Sequence, residues 1–129
     1  MPTADNLGET LMSSSDDPKR RRLGLFGFDA YQVALEFYRQ VCRALRGKRG
    51  HVADQLRRAS ESIVLNVAEA YPTSGADRAR RFQIADNEAS ESAAALDLLE
   101  ARGDLAPEVL ERLRDLLDRE CAMLWRLSR

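Results

Sequence analysis

Apolar residues recur at spacings of three and four along four separate stretches of the chain, and this periodicity constrains the fold more than any other feature. An α-helix brings residues spaced in this way onto one face, whereas a strand alternates its faces at every residue. The pattern therefore predicts four amphipathic helices and no strand. The predicted stripes are Tyr31, Ala34, Leu35, Tyr38, Val41, Cys42 and Leu45; Val52, Leu56, Ala59, Ile63, Val67 and Ala70; Phe82, Ala85, Ala89, Ala93, Leu96 and Leu99; and Leu110, Leu113, Leu117, Cys121 and Leu124.

Glycine and proline residues separate the four stretches. Gly47 and Gly50 follow the first stretch, Pro72 follows the second, and Gly103 and Pro107 lie between the third and the fourth. Short connections of this kind favour antiparallel neighbours. The prediction is an all-α fold, an up-down-up-down antiparallel four-helix bundle that forms one domain over residues 27–129.

The second predicted helix carries an additional stripe of small and apolar residues beside its main one. A helix with two apolar stripes is covered on more than one side. We therefore expect this helix either to be central to the bundle or to be shared with another subunit. The additional stripe consists of Ala53, Ser60, Val64 and Ala68.

Residues 1–26 differ in composition from the rest of the chain. They are rich in Ser, Asp, Pro and Gly, lack apolar periodicity and contain the basic run Lys19 to Arg22. This composition predicts a disordered tail. The chain shows neither a signal-peptide pattern nor the ~20 apolar residues of a membrane-spanning helix, so we expect a cytoplasmic protein.

Charge is distributed unevenly, although the formal net charge is only −1 at pH 7. Residues 39–58 contain seven Arg or Lys residues and a single acidic residue, whereas residues 84–120 contain eleven acidic residues and four Arg residues. This polarity suits either a nucleic-acid patch or head-to-tail self-association. A second basic cluster lies near a helix end, and we expect it to join the first in one patch. The candidate residues are Arg39, Arg43, Arg46, Lys48, Arg49, Arg57 and Arg58, with Arg78, Arg80 and Arg81 in the second cluster.

Catalytic and metal-binding motifs are not found in the sequence. The single histidine, His51, excludes a di-iron bundle, which needs two Glu-x-x-His pairs. Cys42 and Cys121 lack Cys-x-x-Cys spacing, and no phosphate-binding loop or nucleophile elbow is present. We expect no enzymatic activity, no metal and no cofactor.

Asn66 and Glu69 interrupt the apolar second helix. A buried polar group without a partner costs about 1 to 3 kcal/mol, so both side chains need partners. We expect a structural polar network that joins them to Ser60, Ser90, Glu91 or an Arg residue. A ligand site is the alternative interpretation.

The segment that contains these residues resembles a known bacterial family of four-helix-bundle proteins. This family includes the ribosomal RNA intervening-sequence proteins and the accessory variability proteins of diversity-generating retroelements. The resemblance extends from Phe28 to Leu127. The segments on which the resemblance rests are Phe28-Asp29-Ala30-Tyr31, Gln55-Leu56-Arg57-Arg58-Ala59, Asn66-Val67-Ala68-Glu69, Ile84-Ala85 and Ala89-Ser90-Glu91.

The resemblance implies a homopentamer of bundles with a basic surface that binds RNA or DNA and, in the retroelement relatives, a reverse transcriptase. The hypothesis is a non-enzymatic, oligomeric accessory protein that binds nucleic acid through phosphates without reading its sequence. The alternative is an oligomeric protein–protein adaptor that does not bind nucleic acid and whose charges serve subunit contacts.

Overall fold

The computed structural model describes residues 28–129, and the tail predicted over residues 1–26 lies outside that range. Within the described residues the chain forms four α-helices: α1 (Asp29–Ala44), α2 (His51–Ala70), α3 (Gly75–Arg102) and α4 (Pro107–Leu127). Each helix packs against the next along the chain, and α1 also packs against α4, which closes the bundle. The predicted all-α class with four helices is confirmed.

The helix ends follow the breakers in the sequence. Pro107 occupies the first turn of α4, where its missing N–H costs nothing. Gly103 ends α3 with φ +71°, a left-handed conformation that glycine adopts without the steric penalty of a Cβ. None of the helices within residues 28–129 is both long and apolar enough to cross a bilayer.

The bundle has two ends that differ in chemistry. One end contains the turn between α1 and α2, the C-terminus of α3 and the N-terminus of α4, and we call it the Lys48 end. Lys48, Leu99 and Arg102 line one cavity there. At the other end, the Trp125 end, Phe28 packs against Tyr71, with ring centroids 4.8 Å apart. This end brings together the start of α1, the end of α2, the start of α3 and the end of α4.

Large side chains from all four helices fill one core. Residues with almost no solvent exposure include Phe37, Leu56, Ile63, Phe82, Leu96, Leu113 and Leu124. All of these except Phe37 belong to the predicted stripes, so the periodicity identified most of the core. The additional stripe of α2 is partly covered within the single chain, since Ala53 and Ser60 are buried while Val64 and Ala68 are half-buried.

The predicted stripes depart from the observed core at several positions. In α1 the core residues Val33 and Phe37 were missed, while the predicted Tyr31, Leu35, Tyr38 and Cys42 are half-buried. Ala93 is exposed, and Ser92 is buried in its place. Cys121 is only half-buried, whereas Glu120 is fully buried. In α3 and α4 the predicted stripe takes two successive steps of four residues at this point, which rotate the position by about 80° beyond two full turns, whereas the buried positions alternate steps of four and three.

Candidate nucleic-acid interface

Four basic side chains surround the turn between α1 and α2 at the Lys48 end. Arg43 lies in the last turn of α1, and Arg46, Lys48 and Arg49 follow it in the connection. All four are exposed, and none of them forms an ion pair with another of the described residues. Gly50, at φ +117°, lets the chain turn directly into α2. The turn therefore presents a group of unneutralised cations to solvent.

A surface cavity of about 250 Å³ opens beside this turn. Lys48, Arg49 and His51 form one wall, and Arg102 and Asp104 form part of the other. Arg102 is partly neutralised there by Asp104, at 2.9 Å.

The N-terminus of α2 also borders this cavity. Its N-cap residue, Gly50, has no side chain that caps the first N–H groups of the helix. Uncapped N–H groups carry partial positive charge, which adds to that of the lysine and arginine side chains. The cavity is therefore suited to an anion.

Arg57 holds the basic turn in place. Its guanidinium donates hydrogen bonds to the carbonyl oxygens of Leu45, at 2.8 Å, and Lys48, at 2.6 Å. The same group pairs with Asp54 at 2.8 Å. Arg57 is thus committed to contacts within the chain, and its direct role is to order the turn that presents Lys48 and Arg49.

The two remaining candidates of the first basic segment lie on helix surfaces. Arg39 pairs with Glu36 of the same helix at 3.0 Å. Arg58 is exposed and donates a hydrogen bond to Gln55. Both residues border the basic turn without belonging to it.

The expectation of a single basic patch is wrong. Arg78, Arg80 and Arg81 lie at the start of α3, at the Trp125 end, because α3 begins where α2 ends. From His51, beside the basic turn, to Glu69, the partner of Arg81, α2 rises about 27 Å, so the second group lies that far from the turn, and Arg57 and Arg58 lie between the two. Within the second group, Arg81 pairs with Glu69 at 2.8 Å, and Arg78 lies 5.5 Å from the ring centroid of Phe82. Arg80 is exposed.

The structure links two of the residues of the predicted polar network indirectly: Asn66 contacts Ser62, and both Ser62 and Glu91 form hydrogen bonds with Glu88 of α3. Asn66 donates to the carbonyl oxygen and the hydroxyl of Ser62, at 2.9 and 3.0 Å, within its own helix. Glu69 reaches α3 through its ion pair with Arg81, which fits the expected Arg partner. Ser90 and Glu91 are both exposed. Two polar contacts therefore join α2 to α3 here, one from Ser62 to Glu88 and one from Glu69 to Arg81.

Two buried polar residues lie outside the predicted polar network and were not identified from the sequence. Glu120 and Ser92 are both fully buried. Neither carboxylate oxygen of Glu120 has a hydrogen-bond partner among the described residues, and the hydroxyl of Ser92 also has none. Burial raises the pKa of Glu120 to about 8. A signal for Glu120 was present, since it lies three residues after Leu117 and four before Leu124.

Glu88 is a second acidic side chain with a perturbed environment. Its pKa is raised by burial and by the nearby Glu91, while Arg58 and Ser62 oppose the change. Glu88 and Arg58 therefore face each other across α2 and α3.

Within residues 28–129, no three His, Cys, Asp or Glu side chains group as a metal site requires. Burial, together with the charges of Asp86, Asp118 and Glu120, raises the pKa of the Cys121 thiol to about 11. This thiol is therefore protonated near neutral pH and is a poor ligand or nucleophile.

An apolar groove runs between α2 and α3. Its cavity of about 190 Å³ is lined by Val52, Ala94 and Leu98, among others. Leu98 is 52% exposed, and Leu65, further along α2, is 56% exposed. Exposed leucines on neighbouring helices suit contact with another protein surface.

The surface of α3 and α4 carries acidic charge. Arg114 of α4 donates to Asp97 and Glu100 of α3, at 2.7 and 2.9 Å. These two contacts raise the pKa of Arg114 and tie the two helices together. Most of the other acidic residues here have no ion pair within the described chain. The molecule is therefore polarised from a basic turn to an acidic side.

A family model described as the 23S rRNA-intervening sequence protein matches residues 28–126, which include α1, α2, α3, all of α4 except Leu127, and every candidate residue of the predicted site. Among curated proteins, none matches the chain.

Proposed function

The chain belongs to the family of 23S rRNA-intervening sequence proteins, and from this premise we propose that it is a non-enzymatic homo-oligomer that binds RNA or DNA without sequence preference. The phosphates are bound at the Lys48 end. The contacting residues are Arg43, Arg46, Lys48 and Arg49, with Arg39 and Arg58 at the margin and Arg57 as the residue that orders the turn.

One observation carries this proposal, namely the group of unpaired cations around the uncapped start of α2. Arg43, Arg46, Lys48 and Arg49 have no acidic partner among residues 28–129, so a phosphate does not have to displace an existing ion pair. Phosphate contacts of this kind release condensed counterions, which favours binding at low salt. Contacts to phosphates carry no sequence information, so binding through phosphates alone is expected to be indifferent to sequence.

Self-association supports the same function. The groove between α2 and α3, which the exposed Leu98 lines, is the proposed subunit contact, and the exposed Leu65 lies about 15 Å further along α2 than Gln55 of the groove. Each subunit would add a copy of the basic turn, and repeated weak sites bind a long nucleic acid with increased avidity. This repetition explains how a chain with a net charge of −1 can bind a polyanion. We propose a pentamer, on the resemblance to the accessory variability proteins.

A reverse transcriptase is the proposed protein partner if the gene lies in a diversity-generating retroelement. A ribosomal RNA gene context would instead favour ribosomal RNA as the ligand. The genes that flank this one distinguish the two: a template repeat and a reverse transcriptase select the first role, and a ribosomal RNA operon selects the second.

The acidic side of the molecule favours one alternative, an oligomeric adaptor that binds proteins only. In that case the acidic surface of α3 and α4 pairs with the basic turn of a neighbouring subunit. The turn is then occupied inside the oligomer and is not open to phosphate.

A matched pair of charge reversals tests the proposal. Lys48→Glu changes the proposed site, whereas Arg119→Glu changes an exposed arginine of α4 that lies about 18 Å along the helix from Pro107. Both variants alter the net charge equally, so non-specific electrostatics affect them alike. We expect fluorescence polarisation with a labelled RNA to show weaker binding for Lys48→Glu only.

The oligomeric mass of each variant is measured alongside by light scattering. Equal losses in the two variants would show that overall charge, and not the turn, governs binding. A change of mass in Lys48→Glu alone would favour the adaptor.

A further inference from the structure

The single tryptophan of the chain lies exposed near the end of α4. Trp125 is 55% exposed, whereas the aromatic side chains of the core, Phe37 and Phe82, are completely buried. An indole in water forgoes a large gain from burial. Its position is therefore better explained by a ligand than by the packing of the bundle.

The guanidinium of Arg129 stacks on this indole. Its central carbon lies 3.9 Å from the ring centroid, well within the distance of a cation–π contact. More than half of Trp125 still reaches solvent with the guanidinium in place. The pair forms a flat, positively charged surface.

Further unpaired cations share the Trp125 end. Arg126 follows the tryptophan directly, and Arg80 lies in the second turn of α3, which begins at the same end of the bundle. Both are exposed, and neither forms an ion pair within residues 28–129. An aromatic surface with arginines around it is the combination that binds single-stranded nucleic acid, in which bases stack and phosphates pair with cations.

We propose that Trp125 and Arg129 form a stacking platform for an unpaired nucleobase, with Arg80 and Arg126 positioned for the adjoining phosphates. This inference rests on the proposed function and extends it, because it adds a second site and selects single-stranded nucleic acid there. A base within a duplex has both faces covered by its neighbours, so only an unpaired base can use the platform.

A second copy of the chain that presents its own Trp125 end is a less suitable occupant. Two Trp125 ends that faced each other would bring Arg80, Arg126 and Arg129 of both copies together, and like charges disfavour that contact. A nucleic acid brings negative charge to the same surface. The arginines therefore favour the nucleic acid.

Tryptophan fluorescence reports on the platform directly, since Trp125 is the only tryptophan. Wild-type protein is titrated with an oligouridine of about 12 nucleotides and with an RNA duplex of equal length. Stacking of a base on the indole is expected to quench the fluorescence with the single strand and to leave it nearly unchanged with the duplex.

Affinities for labelled RNA are then compared between variants. Trp125→Ala is expected to weaken single-strand binding by about 5- to 150-fold, the range reported by alanine substitution for one stacked base, without changing duplex binding. Trp125→Phe, which keeps an aromatic face, should recover most of the loss. Circular dichroism and light scattering verify that each variant retains its helicity and mass.

The outcomes separate the platform from the proposed function. Salt-sensitive binding without quenching, with Trp125→Ala equal to wild type, would overturn the platform and leave the basic turn as the nucleic-acid site. A lower mass for Trp125→Ala would identify the tryptophan as a subunit contact and would also overturn the platform. Wild-type protein that binds neither RNA at low salt would refute the proposed function, and the platform with it.

Discussion

Replacing Glu120 by Gln removes the one fully buried acidic side chain of the bundle without changing its size. The carboxyl group lies in the core, and neither of its oxygens has a hydrogen-bond partner among the described residues. Burial raises its pKa to about 8. An ionised carboxylate in such a place is costly, so the folded protein keeps the proton that the unfolded chain releases.

The sign and size of the effect follow from this difference in pKa. Between the ordinary value of 4.5 and about 8, the folded state binds one proton more than the unfolded state, so the free energy of unfolding falls as pH rises. The pKa difference of about 3.5 corresponds to a loss of roughly 5 kcal/mol above pH 8, at 1.36 kcal/mol per pKa unit. That loss is a large fraction of the 5–15 kcal/mol typical of a small domain.

Urea unfolding at fixed protein concentration tests this prediction at pH 5 and pH 9. Glu120→Gln should be about as stable as wild type at pH 5 and more stable than wild type at pH 9, by up to about 5 kcal/mol. Glu120→Leu should gain further, because the unpaired polar group is also removed. If wild type and Glu120→Gln lost stability in parallel between the two pH values, the assignment of a neutral Glu120 would be refuted.

Three further substitutions test other parts of the structure. Ile63→Ala should lower the free energy of unfolding by about 2 to 5 kcal/mol, since Ile63 is fully buried; a midpoint that barely moves in thermal melting would contradict the assigned core. Ser92→Ala should be neutral or stabilising by about 1 kcal/mol, because its buried hydroxyl has no partner within residues 28–129; marked destabilisation in the same assay would reveal a contact. Arg57→Ala should cost about 1 to 3 kcal/mol through its contacts with Leu45 and Lys48, and it should increase hydrogen exchange in the basic turn; unchanged exchange there would contradict the ordering role.

Helix number and most of the core could be predicted because periodicity and breakers act locally. The spacing of apolar positions by three and four residues indicates which face of each helix is buried. Gly50 and Gly103 lie where the chain needs positive φ angles. The buried position of Glu120 was present in the same pattern. It was missed because a charged residue is rarely fully buried. The residue type therefore outweighed the buried position that the helical repeat indicates.

The candidate site was predicted in part. Position in the chain was enough to identify an exposed basic turn around Lys48 and Arg49, since turns lie at the surface. The second cluster, around Arg80, was assigned to the same patch because both clusters lie near helix ends, but those helix ends belong to opposite ends of the bundle. Antiparallel packing places it about 27 Å away. Which partner a polar side chain selects depends on its rotamer, and for this reason the bond from Asn66 to Ser62 of its own helix could not be foreseen.

The dependence of RNA affinity on salt tests the central claim most directly, namely that the basic turn at the Lys48 end binds phosphates by charge. Binding constants are measured from about 50 to 200 mM salt for wild type and for Lys48→Glu combined with Arg49→Glu. Both residues lie exposed in the turn, so the double variant should keep its helicity and oligomeric mass. We predict that wild-type affinity falls steeply with salt, and that the variant binds more weakly with a slope shallower by about one for each lost contact. Wild-type protein that does not bind RNA even at the lowest salt, or a variant with an unchanged slope, would contradict the account.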